Sequence, residues 1–272
     1  RFRVHPVEPI SKYSLSWHWK DADRVLDVWQ QWAPQAPREL FSVCSLMRGK
    51  GEPVLRSSGR YFGTAKALRK LIAPLLGAAK TRKRAKVFDT TLWKGHVTGP
   101  KCWPDPNVCH TWNHPKPGRY GQATYSVKSD YFNAPLSLDG RAALMRGVEG
   151  GQASALSWGG VILDAFGGAI NEIAPDATAY VHRRSLFQAE YVAHWRPKVG
   201  KQKDEANRQW MRAFYASMRP FASGECYQNY PDLDLGDWQT AYFGQNLARL
   251  KAVKASVDPQ GVFRGRQILT PG

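Results

Sequence analysis

Short runs of alternating polar and apolar residues, separated by stretches whose apolar residues recur every three or four positions, leave this chain few folds. Ser14 to Trp19 (SLSWHW) has the two-residue period of a strand with one buried face. Asp21 then stands as a cap before Ala22, Val25, Val28, Trp29 and Trp32, which share a helical face until Pro34 and Pro37 stop it. Phe41 to Met47 reads as a strand and Tyr61 to Gly63 as the end of its neighbour. Thr64 caps a second helix over Ala65 to Leu76, with Leu68, Leu71 and Leu75 inward. This order predicts an α+β fold, a large antiparallel sheet covered on one face by helices.

Between Lys94 and Gly121 periodicity gives way to Pro, Gly and Trp, which predicts a long loop of the kind that serves a site or moves. Tyr125 to Tyr131, Ser157 to Ala165, Ala177 to His182 and Phe187 to Trp195 read as strands, and Asp139 to Glu149 as a helix. A basic helix over Lys203 to Met218 places Trp210, Phe214 and Met218 four residues apart, which is core packing. A further helix is expected from about Trp238 to Val257, stopped by Asp258-Pro259 and Gly261. Arg1 to Val7 (RFRVHPV) alternates like the middle of a strand, without an initiating Met or a signal-peptide pattern, so the chain reads as beginning inside a fold.

Composition narrows the classes of function. With 43% hydrophobic and 12% aromatic residues in 272, the chain can bury a core large enough to offset its conformational entropy. No run approaches the roughly 18 apolar residues of a membrane span, so no membrane partner is expected and the chain reads as soluble, with its compartment open. The net charge of +17 raises nucleic acid as a partner, but the densest run, Lys80 to Lys86 (KTRKRAK), reads as a solvated loop and no nucleic-acid-binding motif accompanies it. No nucleic acid is therefore expected; basicity equally suits an acidic substrate or a more acidic companion segment. Cys44, Cys102, Cys109 and Cys226 are too few for a disulfide scaffold. Cys102 and Cys109 bracket a Pro-rich loop and could pair or stay free; with His110 and His114 they match no standard zinc spacing, and no metal is expected.

Three carboxy-terminal stretches carry a resemblance: Asn229 to Gly236 (NYPDLDLG), Tyr242 to Asn246 (YFGQN) and Lys254 to Phe263 (KASVDPQGVF). Upstream, Ser129-Asp130-Tyr131, Phe166 to Asn171 (FGGAIN), His182-Arg183 and Phe2 to Val7 follow in order. Together these resemble the berberine-bridge-enzyme-like FAD-linked oxidases; each motif alone would be weak. The resemblance implies a substrate-binding domain over residues 1–222 and a carboxy-terminal segment, 223–272, that returns to an FAD-binding domain preceding this stretch. It further implies that FAD is held mostly by that amino-terminal domain, which carries the residues for covalent attachment. The chain alone is expected neither to retain FAD tightly nor to turn over.

The resemblance also implies site residues. Tyr230 matches the tyrosine that lies over the flavin and often acts as general base; its alternative is a core tyrosine. A phenol with a pKa near 10 needs a cationic or hydrogen-bonding neighbour to serve as a base at neutral pH. Glu190 falls where the family places a polar or acidic residue facing the flavin, with Gln188 on the same strand face as a pocket residue. Its alternative is a solvent-facing residue paired with an arginine. Asp164 occupies a position that can hold a second acid group, or caps the turn before Gly167-Gly168. Asn229, grouped with Tyr230 as cofactor-binding, is expected to fix the loop through backbone bonds. His182-Arg183 belongs to structure and the domain junction, and Trp112, His110 and Trp158 are possible pocket walls.

The reaction implied is a two-electron oxidation of a hydroxylated small molecule, such as a sugar or natural product. Tyr230, with Glu190 or Asp164, takes a proton while hydride passes to flavin N5 and oxygen reoxidises the flavin. Partners are then that substrate and the amino-terminal FAD domain or a companion peptide. The competing reading is a non-enzymatic binding module with the same fold and a basic surface.

Overall fold

Two-residue periodicity becomes, in the computed structural model of this chain, a seven-stranded sheet in which every neighbouring pair is antiparallel. Residues 9–91, 124–151 and 156–270 are described. The run at Arg1 to Val7 and the segment holding Cys102, Cys109, His110, Trp112 and His114 lie outside them. The strands are β1 (Ile10–Trp17), β2 (Leu40–Arg48), β3 (Val54–Tyr61), β4 (Arg84–Thr90), β5 (Thr124–Phe132), β6 (Trp158–Ala165) and β7 (Phe187–Trp195). Their spatial order is β4-β1-β3-β2-β6-β7-β5.

Helices cover one face of the sheet. They are α1 (Ala22–Trp32), α2 (Ala65–Leu71), α3 (Ala73–Gly77), α4 (Leu138–Gly150), the one-turn α5 (Gly168–Asn171) and α6 (Lys201–Met218). The α6 aromatics pack as expected: Phe214 and Met218 are buried, and the Trp210 indole donates to the Gly147 carbonyl at 2.9 Å. Under the helices lie Leu15, Trp17, Cys44, Leu46, Leu163, Tyr191 and Trp195, all fully buried. The buried hydroxyls of Tyr13, Ser42 and Ser57 are partnered: Tyr13 meets Ser42 at 2.6 Å and Ser57 at 2.9 Å, and the Trp29 indole donates to Ser42 at 2.8 Å. In β6, Gly160 (φ 147°) is required by close approach, because a Cβ there would lie 2.1 Å from the Leu46 carbonyl oxygen of β2.

Three sequence expectations are corrected. Ala65 to Leu76 is two helices, α2 and α3, broken at Ile72 two residues before Pro74. Ala177 to His182 forms no strand: both edges of β7 are occupied, by β6 and β5, and the segment turns at Ala174–Ala177 instead. The Asn246 amide holds that turn through the Pro175 and Thr178 carbonyls at 2.8 and 3.1 Å. The long carboxy-terminal helix is split into α7 (Trp238–Phe243) and α8 (Leu247–Val257) by Gly244, whose φ of 44° and ψ of −130° no helix accommodates. No described helix is long and apolar enough to cross a membrane.

Residues 223–235 wrap around β5, which would otherwise be a bare edge. The Tyr131 amide donates to the Glu225 carbonyl at 3.1 Å, and the Ser223 amide to the Tyr131 carbonyl at 2.8 Å. Each residue of Lys128 to Tyr131 then holds something. On the helix-covered face Lys128, 4% exposed, binds Asp232 at 2.7 Å and Asp234 at 3.0 Å, and buried Asp130 pairs with Arg219 at 2.5 Å. On the open face Ser129 accepts from the Tyr227 amide at 2.9 Å, and Tyr131 stacks on His182, which reaches Glu225 at 3.1 Å.

Replacing Ser42 with Ala leaves the Trp29 indole N–H unpartnered and is expected to cost about 1–3 kcal/mol in urea denaturation. Ser58→Ala, on the exposed face of β3, should stay within about 0.5 kcal/mol; equal costs would contradict the assignment of the two faces. Lys128→Met breaks a buried ion pair, a loss of about 3–5 kcal/mol. Because that loss falls on the wrapped segment, amide exchange should accelerate across residues 226–243 and stay slow in β6 and β7; uniform acceleration would refute the clamp.

Candidate functional site

The face of the sheet away from the helices gathers the polar residues that the strand pattern set aside. Along β6 it presents Trp158, Gly160, Ile162 and Asp164, and along β7 Gln188, Glu190, Val192 and His194. Register places Asp164 directly opposite Gln188, and Glu190 opposite Ile162 on one side and Ser129 on the other. Asp164 and Glu190 are therefore diagonal neighbours on one face, a relation that brings Cβ atoms to roughly 7–8 Å.

Above them stands Tyr230, delivered by the wrapped segment. Its amide donates to the Tyr227 carbonyl at 2.9 Å, and the two rings meet edge to face at 5.1 Å. Downstream, the Asp232 amide donates to the Tyr242 hydroxyl at 2.9 Å. The Tyr230 hydroxyl donates to Glu190 Oε2 at 3.4 Å. That separation is long for an O–H···O bond, as proton-transfer contacts often are before substrate tightens them.

Electrostatics at the cluster run opposite to the sequence expectation for Tyr230. Burial, then Glu190 and Asp164, push its phenol up to about 12. No cation among the causes depresses it. The phenol is thus a proton donor and relay at neutral pH. Burial, and then the charge of Glu190, raise the Asp164 carboxyl to about 6. Burial likewise raises Glu190, partly countered by the bond from Tyr230. Two carboxyls with proton affinities moved toward neutrality beside one protonated hydroxyl form a proton-accepting unit.

The remaining expected residues fall into two groups. Gln188, 5% exposed, lies between Asp164 and Tyr131, and its Nε2 has no hydrogen-bond partner among the described residues. Trp158 is not brought to the cluster: it stacks on His194 at 4.8 Å at the far end of β6, about 20 Å along the strand from Asp164. Asn229 is exposed and acts through its side chain, donating to the Tyr227 hydroxyl at 2.8 Å, instead of through backbone bonds. His182 lies buried against Tyr131, and Arg183 over the Tyr180 ring at 4.7 Å. Cys44 and Cys226 are buried free thiols, and no group of His, Cys, Asp and Glu that could hold a metal occurs among the described residues. The clamp residue Lys128 escaped sequence reasoning; its one signal was the spacing of Asp232 and Asp234 in Asn229 to Gly236.

Residues 226–268 match the family described as berberine and berberine like. An uncharacterised FAD-linked oxidoreductase of Bacillus subtilis is 28% identical over 99% of this chain and 54% of its own length. The tetrahydroberberine oxidase of Argemone mexicana is 32% identical over 53% of this chain and 29% of its own. The wild-type BBE-like 1 structure of Physcomitrella patens superimposes with a TM-score of 0.80 at 26% identity, covering 100% of this chain and 56% of that one. The chain spans about half the length of relatives matched along its whole extent.

Asp164 gives a test of the electrostatics that needs no reaction. The folded chain holds its proton up to about pH 6, whereas an ordinary aspartate releases it near 3.8. Raising pH through that interval therefore costs stability, and Asp164→Asn removes the cost. The variant should gain stability over the parent at pH 8 and lose that advantage near pH 4 in urea titrations. A pH-independent difference would show that Asp164 is not desolvated.

Proposed function

We propose that this chain, a member of the berberine-bridge-enzyme-like family, forms the substrate-facing half of an FAD-dependent oxidase that converts a substrate C–OH to a carbonyl. The observation that carries the reading is the convergence of Tyr230, Glu190 and Asp164 on one open sheet face, from three separate stretches of sequence.

The residues present suit a flavin partner. Tyr230 stands beside the carboxyls with Tyr227 packed edge to face against it, and the buried Gln188 Nε2 is a donor without a partner among the described residues. Tyr230 and Asn229 are the residues we assign to flavin contact, and residues 223–272 to completing the FAD-binding domain, while residues 1–222 form the substrate domain. When bound, the flavin supplies the hydride acceptor at N5, with oxygen as the terminal oxidant; FAD itself is held mainly by the amino-terminal domain of the family.

The proton is handled by this chain. A substrate hydroxyl seated against Tyr230 hands its proton to the Asp164–Glu190 pair, directly or through the phenol, which passes its own proton to Glu190 as it accepts another. Hydride leaves the carbon that bears this hydroxyl, so one proton and one hydride depart, two electrons and two protons in all, and a carbonyl remains. The carboxylates supply the basicity and the phenol the orientation.

The test is turnover of the chain joined to the FAD-bearing polypeptide of its family, followed by peroxide release. Tyr230→Phe is expected to lower kcat by about 10²-fold, and Glu190→Gln with Asp164→Asn by a similar factor, with little further loss on combining all three because they act as a unit. The rate should rise with pH as Asp164 deprotonates near 6, with no second limb from the phenol below pH about 10. Unchanged kcat in these variants, or inert but tight association of the two polypeptides, would favour the non-enzymatic module.

A further inference from the structure

The loop that carries Tyr230 is tied down by Ser129 and Lys128, but those bonds engage the Tyr227 amide and the Asp232 carboxylate and leave the Tyr230 ring to other contacts. The ring is met by Tyr227, edge to face at 5.1 Å. Tyr227 is met in turn by Tyr180, edge to face at 6.3 Å. Tyr180 belongs to the connection between β6 and β7, the segment that forms no strand, and its hydroxyl meets that of Tyr131 at 2.9 Å. Tyr131 is fully buried on β5 and stands in the same row of the open face as Gln188 and Asp164. A path of side chains thus leaves the sheet at Tyr131 and returns to it at Glu190, through Tyr180, Tyr227 and Tyr230.

Tyr180 is held independently of the loop it touches. The Arg183 guanidinium lies over its ring at 4.7 Å, an attraction between a cation and the ring face. Arg183 also donates to the Thr178 hydroxyl at 3.0 Å, and the Asn246 amide holds the preceding turn through the Pro175 and Thr178 carbonyls. The middle ring is fixed as well: Asn229 donates to the Tyr227 hydroxyl at 2.8 Å, so turning the Tyr227 side chain breaks that bond. None of Tyr180, Tyr227 and Tyr230 is part of the buried core. Edge-to-face pairs are directional, because the positive edge of one ring seeks the negative face of the next, so a series of them transmits orientation. The Tyr230 hydroxyl stands 3.4 Å from Glu190, at the limit of a hydrogen bond, and a fraction of an ångström decides whether that contact exists.

We propose that Tyr180 is a positioning residue for the oxidation, one that acts through Tyr227 to set the reach of the Tyr230 hydroxyl toward Glu190. The inference rests on the oxidase reading and adds to it a residue outside the cluster of Tyr230, Glu190 and Asp164. Without the Tyr180 ring, Tyr227 loses its backing, Tyr230 turns more freely and its hydroxyl spends less time against the carboxyl. Proton transfer, which requires that contact, slows, while the binding of substrate changes little. The Tyr180 hydroxyl has the lesser part: it anchors the ring to Tyr131, whereas the ring itself, gripped by Arg183, supports Tyr227.

The experiment titrates Tyr230 in the chain alone, by nuclear magnetic resonance of tyrosine labelled at Cζ, with Tyr230→Phe assigning the signal. The titratable groups that face this phenol are Glu190, Asp164 and Tyr227, and burial together with the two carboxyls holds it up to about 12. Tyr180→Leu should let it fall toward the ordinary 10.0, and Tyr180→Phe, which keeps the ring, should leave it near the parent value. Tyr227→Leu should produce the fall by itself, and adding Tyr180→Leu to it should change nothing further. Joined to the FAD-bearing polypeptide, Tyr180→Leu is expected to lower kcat about 10-fold with KM within about 2-fold of the parent, and Tyr180→Phe to keep most of the rate. A role in folding alone would lower the melting temperature without moving the phenol. An unmoved Tyr230 in folded Tyr180→Leu or Tyr227→Leu chains, an equal fall in the Phe and Leu variants, or additive falls in the double variant overturns the proposal. If Tyr180→Leu does not fold, Tyr227→Leu and Tyr180→Phe decide by the same readings: the first must lower the phenol and the second must not. The titration needs neither flavin nor turnover, so its failure is distinct from failure of the oxidase reading, which appears as unaltered kcat in the Tyr230 and carboxyl variants.

Discussion

An unprotected edge strand is the constraint around which this molecule is arranged. β5 lies at the end of the sheet with one row of backbone groups open, and residues 223–225 fill it through the two hydrogen bonds at Tyr131. The chain then passes from one face of the sheet to the other. Lys128, nearly inaccessible, grips Asp232 from the helix-covered side while Ser129 receives the Tyr227 amide on the open side. Alternation along a single strand therefore holds both ends of the loop that presents Tyr230. The same hydrogen bonds that satisfy the edge fix the phenol over Glu190, so folding and site assembly are one event.

What the phenol meets there decides its chemistry. In water a tyrosine and two carboxylates would titrate far apart; on this half-buried face desolvation raises all three, and the carboxylates raise the phenol further. The order of acidity is preserved while the scale moves, so in the proposed reaction a carboxyl accepts the proton and the tyrosine relays it. Keeping charged groups partly dry costs stability, and the structure confines that cost to the face of the sheet away from the helices, while the opposite face packs into an apolar core of large aromatic and aliphatic side chains.

How much of this was legible in the sequence follows from the range of each interaction. Strands and helix faces were readable because their periods are local: Trp29, Leu68, Phe214 and Met218 point into the core as spacing dictates. The pattern at Ala177 to His182 misled because alternation states a preference and cannot report whether a strand edge is free. Gly244 broke a helix that the spacing of apolar residues would have carried through, since its φ of 44° and ψ of −130° lie outside the helical region. The Lys128 clamp joins residues 104 apart, and the diagonal of Asp164 and Glu190 depends on register; neither can be derived from composition or spacing. Tyr230 was found through its motif, but its environment, and hence the direction of its pKa, required the three-dimensional arrangement.

The proposed proton transfer depends on Tyr230 remaining protonated while Asp164 titrates near 6 and burial holds Glu190 above its ordinary value. Direct observation is available from nuclear magnetic resonance of the chain labelled at tyrosine Cζ and at the Asp and Glu carboxyl carbons, with Tyr230→Phe and Asp164→Asn to assign the signals. The Tyr230 resonance should stay in its phenol position until pH approaches about 12, while the Asp164 carboxyl moves with a midpoint near 6. Ionisation of Tyr230 below the ordinary tyrosine value of 10.0, or an Asp164 midpoint near 3.8, would contradict it.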